Sequence, residues 1–298
     1  MSKNQRATKI DLMIIGTQKA GTSALLALLQ QHPEIQTHFT NEFSYFHDPT
    51  LASTEFESYF HNVYQELKDE STVIAKCVGV LEFPKAIEKL NQHNPKAVIS
   101  VVLRDPIERA YSAFWFARSR GWEPESSFSK AIRMVDRFPN DPVKYWVCNY
   151  AKRGLYYDRL LNVEQYFPQS QTIISEYGDL KKDSVSLCNN IFDKLQLPNY
   201  DVQNHQKNKT TTVRSVRLSR LFLAAKRNSH MQSLSRRFVP RKLAHSVSKS
   251  FLHYNKRESS PIPAMKRSDH EWLADFYREP NENLKRKYGI DFNTHYNN

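Results

Sequence analysis

Along the chain, short apolar runs alternate with stretches in which apolar residues recur every three or four positions. Residues 10–15 (IDLMII) form the first run and predict a buried strand, and Gly21 to Gln31 take helical spacing that ends before His32-Pro33. Thr72 to Cys77 (TVIAKC) predicts a short strand, followed by a helix from Pro84 to about Asn91. The clearest run is Ala97 to Leu103 (AVISVVL), continuous, β-branched and uncharged. It leads into Arg104-Asp105-Pro106, and Pro106 suits the first turn of a helix reaching about Arg118. A helix over Gly154 to Tyr166 is closed by Pro168, a strand follows over Thr172 to Tyr177, and another helix covers Ser184 to Leu195. Trp272, Leu273, Phe276, Tyr277 and Leu284 place a last helix over residues 268–288.

Strands alternating with helices at this spacing predict a P-loop-type α/β fold, a central parallel sheet with helices on both faces. The pattern is read as a single domain over 1–298, with an α/β core at 1–201, a basic insertion at 202–257 and a C-terminal helix and tail at 258–298. At 298 residues the chain is long enough to bury a sizeable core. No apolar stretch approaches the ~18 residues of a membrane span, and Met1 to Lys9 lack a signal-peptide apolar region, which sets the expectation of a soluble chain, cytoplasmic or else a luminal domain relieved of its anchor. Cys77, Cys148 and Cys188 are scattered with no C-x-x-C pair, which predicts reduced thiols and neither a disulfide framework nor a metal site.

The net charge of +12 is local. Residues 202–257 hold fourteen Lys or Arg and no acid, leaving 29 basic against 31 acidic residues elsewhere. Such a segment predicts contact with an anionic glycan or an anionic membrane surface, or else a solvated cationic face. It carries three Phe and one Tyr, little for base stacking, so nucleic acid is not an expected partner.

The first chemical signal is GTQKAGTS, residues 16–23, between the first strand and the first helix. Gly16 and Gly21 have the spacing of a nucleotide-binding loop, but Thr22 stands where that loop carries its lysine, and Lys19 lies inside the turn. The helix N-terminus still offers unpaired N–H groups and a partial positive charge to an anion. The second signal, Arg104-Asp-Pro-Ile-Glu-Arg-Ala-Tyr-Ser112, again leaves a strand for a helix. A nucleoside triphosphatase needs a magnesium-holding acid at this strand end, and Arg104 stands there instead.

TQKAGTSALLALLQQHP and VVLRDPIERAYSAF resemble the two cofactor-binding motifs of sulfotransferases that use 3′-phosphoadenosine 5′-phosphosulfate (PAPS). NEFSYFHD, GLYYDRLLNVEQYFPQSQTIISEYGDL and LADFYREPNENLKRKYGIDF extend the likeness toward the heparan-type carbohydrate enzymes, glucosaminyl N- and 3-O-sulfotransferases, and toward a bacterial member. The resemblance implies PAPS as donor, released as adenosine 3′,5′-bisphosphate, with no metal required. It places Gln18, Lys19, Ala20, Gly21, Thr22 and Ser23 on the 5′-phosphosulfate and Arg104 and Ser112 on the 3′-phosphate. Tyr156 or Tyr157 would line the adenine pocket, and Lys207, Lys209 and Arg214 would close a basic loop over the 3′-phosphate.

By the same resemblance Glu42 is the general base, with Lys19 and Lys76 stabilising charge on the transferring group. A solvated loop glutamate is the plain alternative for Glu42, and His38 and His47 are rival bases. The Thr-Pro that usually follows the family's lysine is absent after Lys76, so a surface lysine is the other reading there. Cytosolic small-molecule sulfotransferases place a histidine after this strand; Ala75-Lys76-Cys77-Val78-Gly79 has none, which favours a carbohydrate or glycolipid acceptor. The competing functions are a P-loop kinase or NTPase, and a non-enzymatic polyanion-binding protein working through 202–257.

Overall fold

The structure is a computed structural model of the chain, and it describes residues 8–64, 71–134, 138, 142–203, 212–213, 256–257 and 262–292. These fall into two compact units. One comprises Met1–Asp105, Leu155–Lys207 and Pro280–His295; the other comprises Pro106–Gly154, Asn208–Glu279 and Tyr296–Asn298.

The first unit holds a five-stranded parallel sheet in the order β2-β3-β1-β4-β5. Its strands are β1 (Leu12–Gly16), β2 (Ile35–Thr37), β3 (Thr72–Lys76), β4 (Val98–Leu103) and β5 (Thr172–Glu176). Every residue of β1 and β4 is buried. Central strands of a parallel sheet are covered on both faces, which is why these two read as unbroken apolar runs. At the edge, β5 alternates buried and half-buried positions. Leu12 sits between Ile74 and Val98, and Leu103 pairs with Glu176.

Helices α1 (Thr22–Leu29), α2 (Phe56–Val63), α3 (Pro84–His93), α7 (Tyr156–Glu164), α8 (Tyr177–Lys182) and α9 (Ser184–Lys194) belong to this unit. Two apolar clusters form its core. One gathers Met13, Ile15, Phe43, Phe60, Ile87, Ile99, Leu160 and Phe292; the other gathers Leu12, Ile14, Leu25, Leu29, Val102, Ile191 and Phe192. Alternate residues of β1 therefore serve opposite faces, as the two-residue strand period requires.

In the second unit lie α4 (Pro106–Ser119), α5 (Phe128–Arg133), α6 (Pro142–Cys148) and a two-strand ladder of β6 (Thr212–Val213) with β7 (Lys256–Arg257). The ladder pairs Thr212 with Arg257 and Val213 with Lys256. Pro106 opens α4 as the sequence predicts. The last helix, α10 (Arg267–Tyr288), runs through Pro280, where its residues pass from the second unit to the first.

Strands near 10–15, 72–77, 97–103 and 172–177 all form, and helix ends differ from expectation by a few residues. The pattern missed β2, which has only three residues, and α2, α5, α6 and α8, which are one or two turns each. Within a sheet of order 2-3-1-4-5 the chain leaves β1 toward one edge and later returns to its other side at β4. The crevice beyond the strand ends opens where that order reverses.

Candidate active site

Gly16 ends β1 and Gly21 starts α1, with Thr17 to Ala20 forming the loop between them. The loop is tied to the sheet by Thr17, whose amide and hydroxyl both donate to the Val102 carbonyl at 2.7 and 3.2 Å. Lys19 and Gly21 have φ of 70° and 88°. A left-handed lysine is uncommon among non-glycine residues, and the loop fixes it there. No side chain caps α1, so the amides of its first turn face the loop's concave side, where an anion would sit.

Arg104 follows β4 and reaches back to this loop, its guanidinium donating to the Lys19 carbonyl at 3.2 Å. The same guanidinium lies 5.0 Å over the Tyr177 ring, and the Tyr156 hydroxyl donates to the Arg104 carbonyl at 2.8 Å. Arg104 and the 16–23 loop, both in the first unit, are thus joined. Tyr156 is buried beside it, whereas Tyr157 lies against Tyr288 with ring centroids 6.4 Å apart. Ser112 is buried on α4 in the second unit. Lys207, Lys209 and Arg214 lie outside the described residues.

Lys76, the last residue of β3, is buried. Its ammonium donates to Glu42 Oε1 at 2.7 Å and to the Ser23 hydroxyl at 3.2 Å, with side-chain exposures of 4% for Lys76 and 32% for Glu42. Lys76 is therefore no surface lysine. A buried ammonium is tolerated because a carboxylate and a hydroxyl replace its water. The Val78 amide donates to Glu42 Oε2 at 3.0 Å, which fixes the carboxylate while leaving one side of it accessible. Glu42, Lys76 and Ser23 form a line from a half-exposed carboxylate to the start of α1.

His38 supports this line from behind. Its Nε2 accepts the Lys76 amide at 3.0 Å, its Nδ1 lies 3.0 Å from the Thr40 hydroxyl, and that hydroxyl donates to the Glu42 carbonyl at 3.1 Å. With Nε2 accepting, Nδ1 carries the proton and donates to Thr40. Burial, then the Lys76 charge, lowers His38 from the usual 6.5 to about 4, so it stays neutral. Its acceptor nitrogen is occupied, which makes His38 a positioning residue and removes it as a base. His47 sits 3.3 Å from the Cys77 sulfur through Nδ1. Burial raises the Cys77 thiol to about 12, and the Val80 amide donates to the Cys77 carbonyl at 3.2 Å. The thiol donates to His47 Nδ1 in one ring tautomer and the ring donates to the sulfur in the other, so His47 stays a rival base.

Residues 9–251 match the sulfotransferase domain family. The chain belongs to that family. The membrane-associated sulfotransferase kil1 of Dictyostelium discoideum is 28% identical over 127 residues, 41% of this chain and 27% of that protein. The bifunctional heparan sulfate N-deacetylase/N-sulfotransferase 1 of Caenorhabditis briggsae is 22% identical over 203 residues, 65% of this chain and 23% of that protein. The heparan sulfate glucosamine 3-O-sulfotransferase 6 of Mus musculus is 25% identical over 199 residues, 65% of this chain and 54% of that protein. The chain thus spans about a quarter of the first two relatives and half of the third. A crystal structure of a sulfotransferase from Alicyclobacillus acidocaldarius shares the fold, with a TM-score of 0.65 over 95% of this chain and 97% of that one at 16% identity.

One residue packed against the loop and Arg104 has no place in the sequence-based expectations. Tyr177 packs on Gly21 so closely that a Cβ there would lie 2.9 Å from its ring, and Arg104 stacks on it. It ends the TIISEY run, at a strand terminus where a ligand crevice gathers, and that was the available signal. Among the described residues no helix is long and apolar enough to cross a membrane.

Proposed function

We propose that the chain moves a sulfuryl group from PAPS to a hydroxyl or amine of a carbohydrate or glycolipid acceptor. The observation that carries this reading is the line Glu42–Lys76–Ser23, which joins an accessible carboxylate to the start of α1 through one buried cation. The loop fits the donor: α1 is uncapped, Gly21 takes the left-handed φ that the turn requires, and Lys19 and Arg104 supply charge. When bound, PAPS supplies an activated sulfate–phosphate anhydride. Amides of residues 21–23, with Gln18 and the Thr22 hydroxyl, hold the 5′-phosphosulfate, while the Ala20 amide, expected among them, donates instead to the Thr17 carbonyl at 3.1 Å. Arg104 holds the 3′-phosphate, with Ser112 as the second ligand that the motif implies, and Tyr156 walls the adenine side. Lys209 and Arg214 complete the set by their place in the resemblance, although the segment lacks the family's glycine-rich form of that loop.

Glu42 takes the proton of the acceptor as its oxygen or nitrogen bonds to sulfur and the bond from sulfur to the 5′-phosphate oxygen breaks. Lys19 and Lys76 neutralise charge that grows on that oxygen and on the transferring group. Adenosine 3′,5′-bisphosphate and a proton on Glu42 balance the step. Catalysis is mostly placement and charge stabilisation, as in phosphoryl transfer. The names of the heparan sulfate relatives support a carbohydrate acceptor, and the basic 202–257 segment suits an anionic glycan or the anionic membrane bearing a glycolipid. The three buried free thiols, Cys77, Cys148 and Cys188, fit a reducing, cytoplasmic setting.

Adenosine 3′,5′-bisphosphate at a hundredfold excess over its dissociation constant is expected to raise the melting temperature by about 5 °C. ATP with magnesium is expected to leave it unmoved. The reverse result would establish the kinase or NTPase reading in its place.

A further inference from the structure

Past Glu42 and Lys76, the same stretch of chain builds a second feature that the transfer chemistry does not use. Val78 donates to Glu42, and the chain then passes Gly79 and a short 3-10 turn, Val80–Glu82, to reach Phe83. Phe83 is 40% exposed and lies nearly parallel to the His47 ring, with centroids 6.1 Å apart and planes at 13°. His47 is fixed beneath it by the Cys77 sulfur at 3.3 Å. Gly79 makes this possible, because a Cβ there would sit 2.7 Å from His47 Cδ2 and Nε2.

Both ends of Phe83 are anchored. Glu82 is buried in an ion pair with Arg159 at 2.8 Å, and Pro84 begins α3. The Glu42 carboxylate is close enough for its charge to act on both His47 and Cys77. An exposed aromatic side chain by itself means little. This one is held in a fixed orientation, and the four residues 76–79 that hold the base also hold the ring beneath it.

We propose that Phe83 is the acceptor platform, stacking against the flat C–H face of a pyranose ring so that its hydroxyl or amine meets Glu42. The proposal rests on the sulfotransferase reading and specifies which part of the acceptor that site recognises. The positive ring edge and negative face of an aromatic favour an apolar face laid flat upon it, while the sugar's hydroxyl rim points outward to water and polar groups. A pre-ordered ring loses little freedom on binding, so the contact favours affinity directly.

The test is steady-state transfer from labelled PAPS to a heparan-type oligosaccharide and to a phenol, with wild type, Phe83→Ala, Phe83→Trp and Gly79→Ala. Adenosine 3′,5′-bisphosphate affinity is measured in parallel. Phe83→Ala is expected to raise the oligosaccharide KM about tenfold, with kcat and bisphosphate affinity unchanged. Phe83→Trp should retain the wild-type KM, and Gly79→Ala, by displacing His47, should raise KM as Phe83→Ala does and lower kcat as well, because residues 76–79 also hold Glu42. An unchanged KM in Phe83→Ala, with wild-type transfer intact, overturns the platform and leaves the sulfotransferase reading standing. Transfer to the phenol but not the oligosaccharide, with KM dependent on Phe83, overturns the pyranose assignment. Wild type that transfers to neither acceptor overturns both readings.

Discussion

Replacing Glu42 by Gln is expected to lower kcat by about 10²–10⁴-fold, the usual worth of a positioned general base, while adenosine 3′,5′-bisphosphate binds as before. The side chain keeps its length, so the oxygen that accepts the Lys76 ammonium at 2.7 Å can be kept. What is lost is the capacity to take a proton. The Val78 amide, which donates to the second carboxylate oxygen, then faces an amide NH2, and a small loss of stability is expected with it. Separating the two effects requires kcat and melting temperature on the same preparation. A rate loss below fivefold in a folded protein would remove Glu42 from the chemistry. A matching loss of bisphosphate affinity would show instead that it acts through Lys76 and Ser23 on the donor loop.

For Lys19→Ala the expectation is a fall in kcat of about 10²–10³-fold, the scale of removing one charge-stabilising donor from a transition state. Lys19 occupies the left-handed region at φ 70°, and alanine accepts that backbone no worse than lysine does. The Arg104 bond to the Lys19 carbonyl is a main-chain contact and survives the change. The bisphosphate product lacks the sulfuryl group, so its affinity should fall by much less than kcat. Measuring both quantities separates the two roles open to this lysine. A tenfold loss of bisphosphate affinity with kcat retained would make Lys19 an ordinary phosphate ligand.

Much of the fold and part of this site could be read from the residues. β1 and β4 are central strands, and full burial on both faces imposes continuous apolar runs that one chain displays by itself. The glycine spacing of the loop and the arginine after β4 were equally visible, because backbone geometry restricts which residues fit there. β2 is a three-residue edge strand with a single buried position, too short for any periodicity. Lys76 was open to a surface reading because its partner is 34 residues earlier, and a distant ion pair leaves no local pattern. His38 was a rival base for the same reason. Its neutrality comes from burial and from the Lys76 charge, which local spacing does not encode. Tyr177 went unnamed because its role is packing on Gly21 and Arg104, both remote in sequence.

The central claim is that the displaced lysine and the strand-end arginine define a sulfuryl donor site. The most direct measurement incubates the protein with sulfur-labelled PAPS and a panel of glycans, glycolipids, phenols and amines, and follows label to product. The account predicts transfer to a carbohydrate-bearing acceptor, equimolar release of adenosine 3′,5′-bisphosphate, and no product with Lys19→Ala at wild-type exposure times. Label that stays on PAPS with every acceptor, or phosphate transfer from ATP with magnesium by the same preparation, would contradict it.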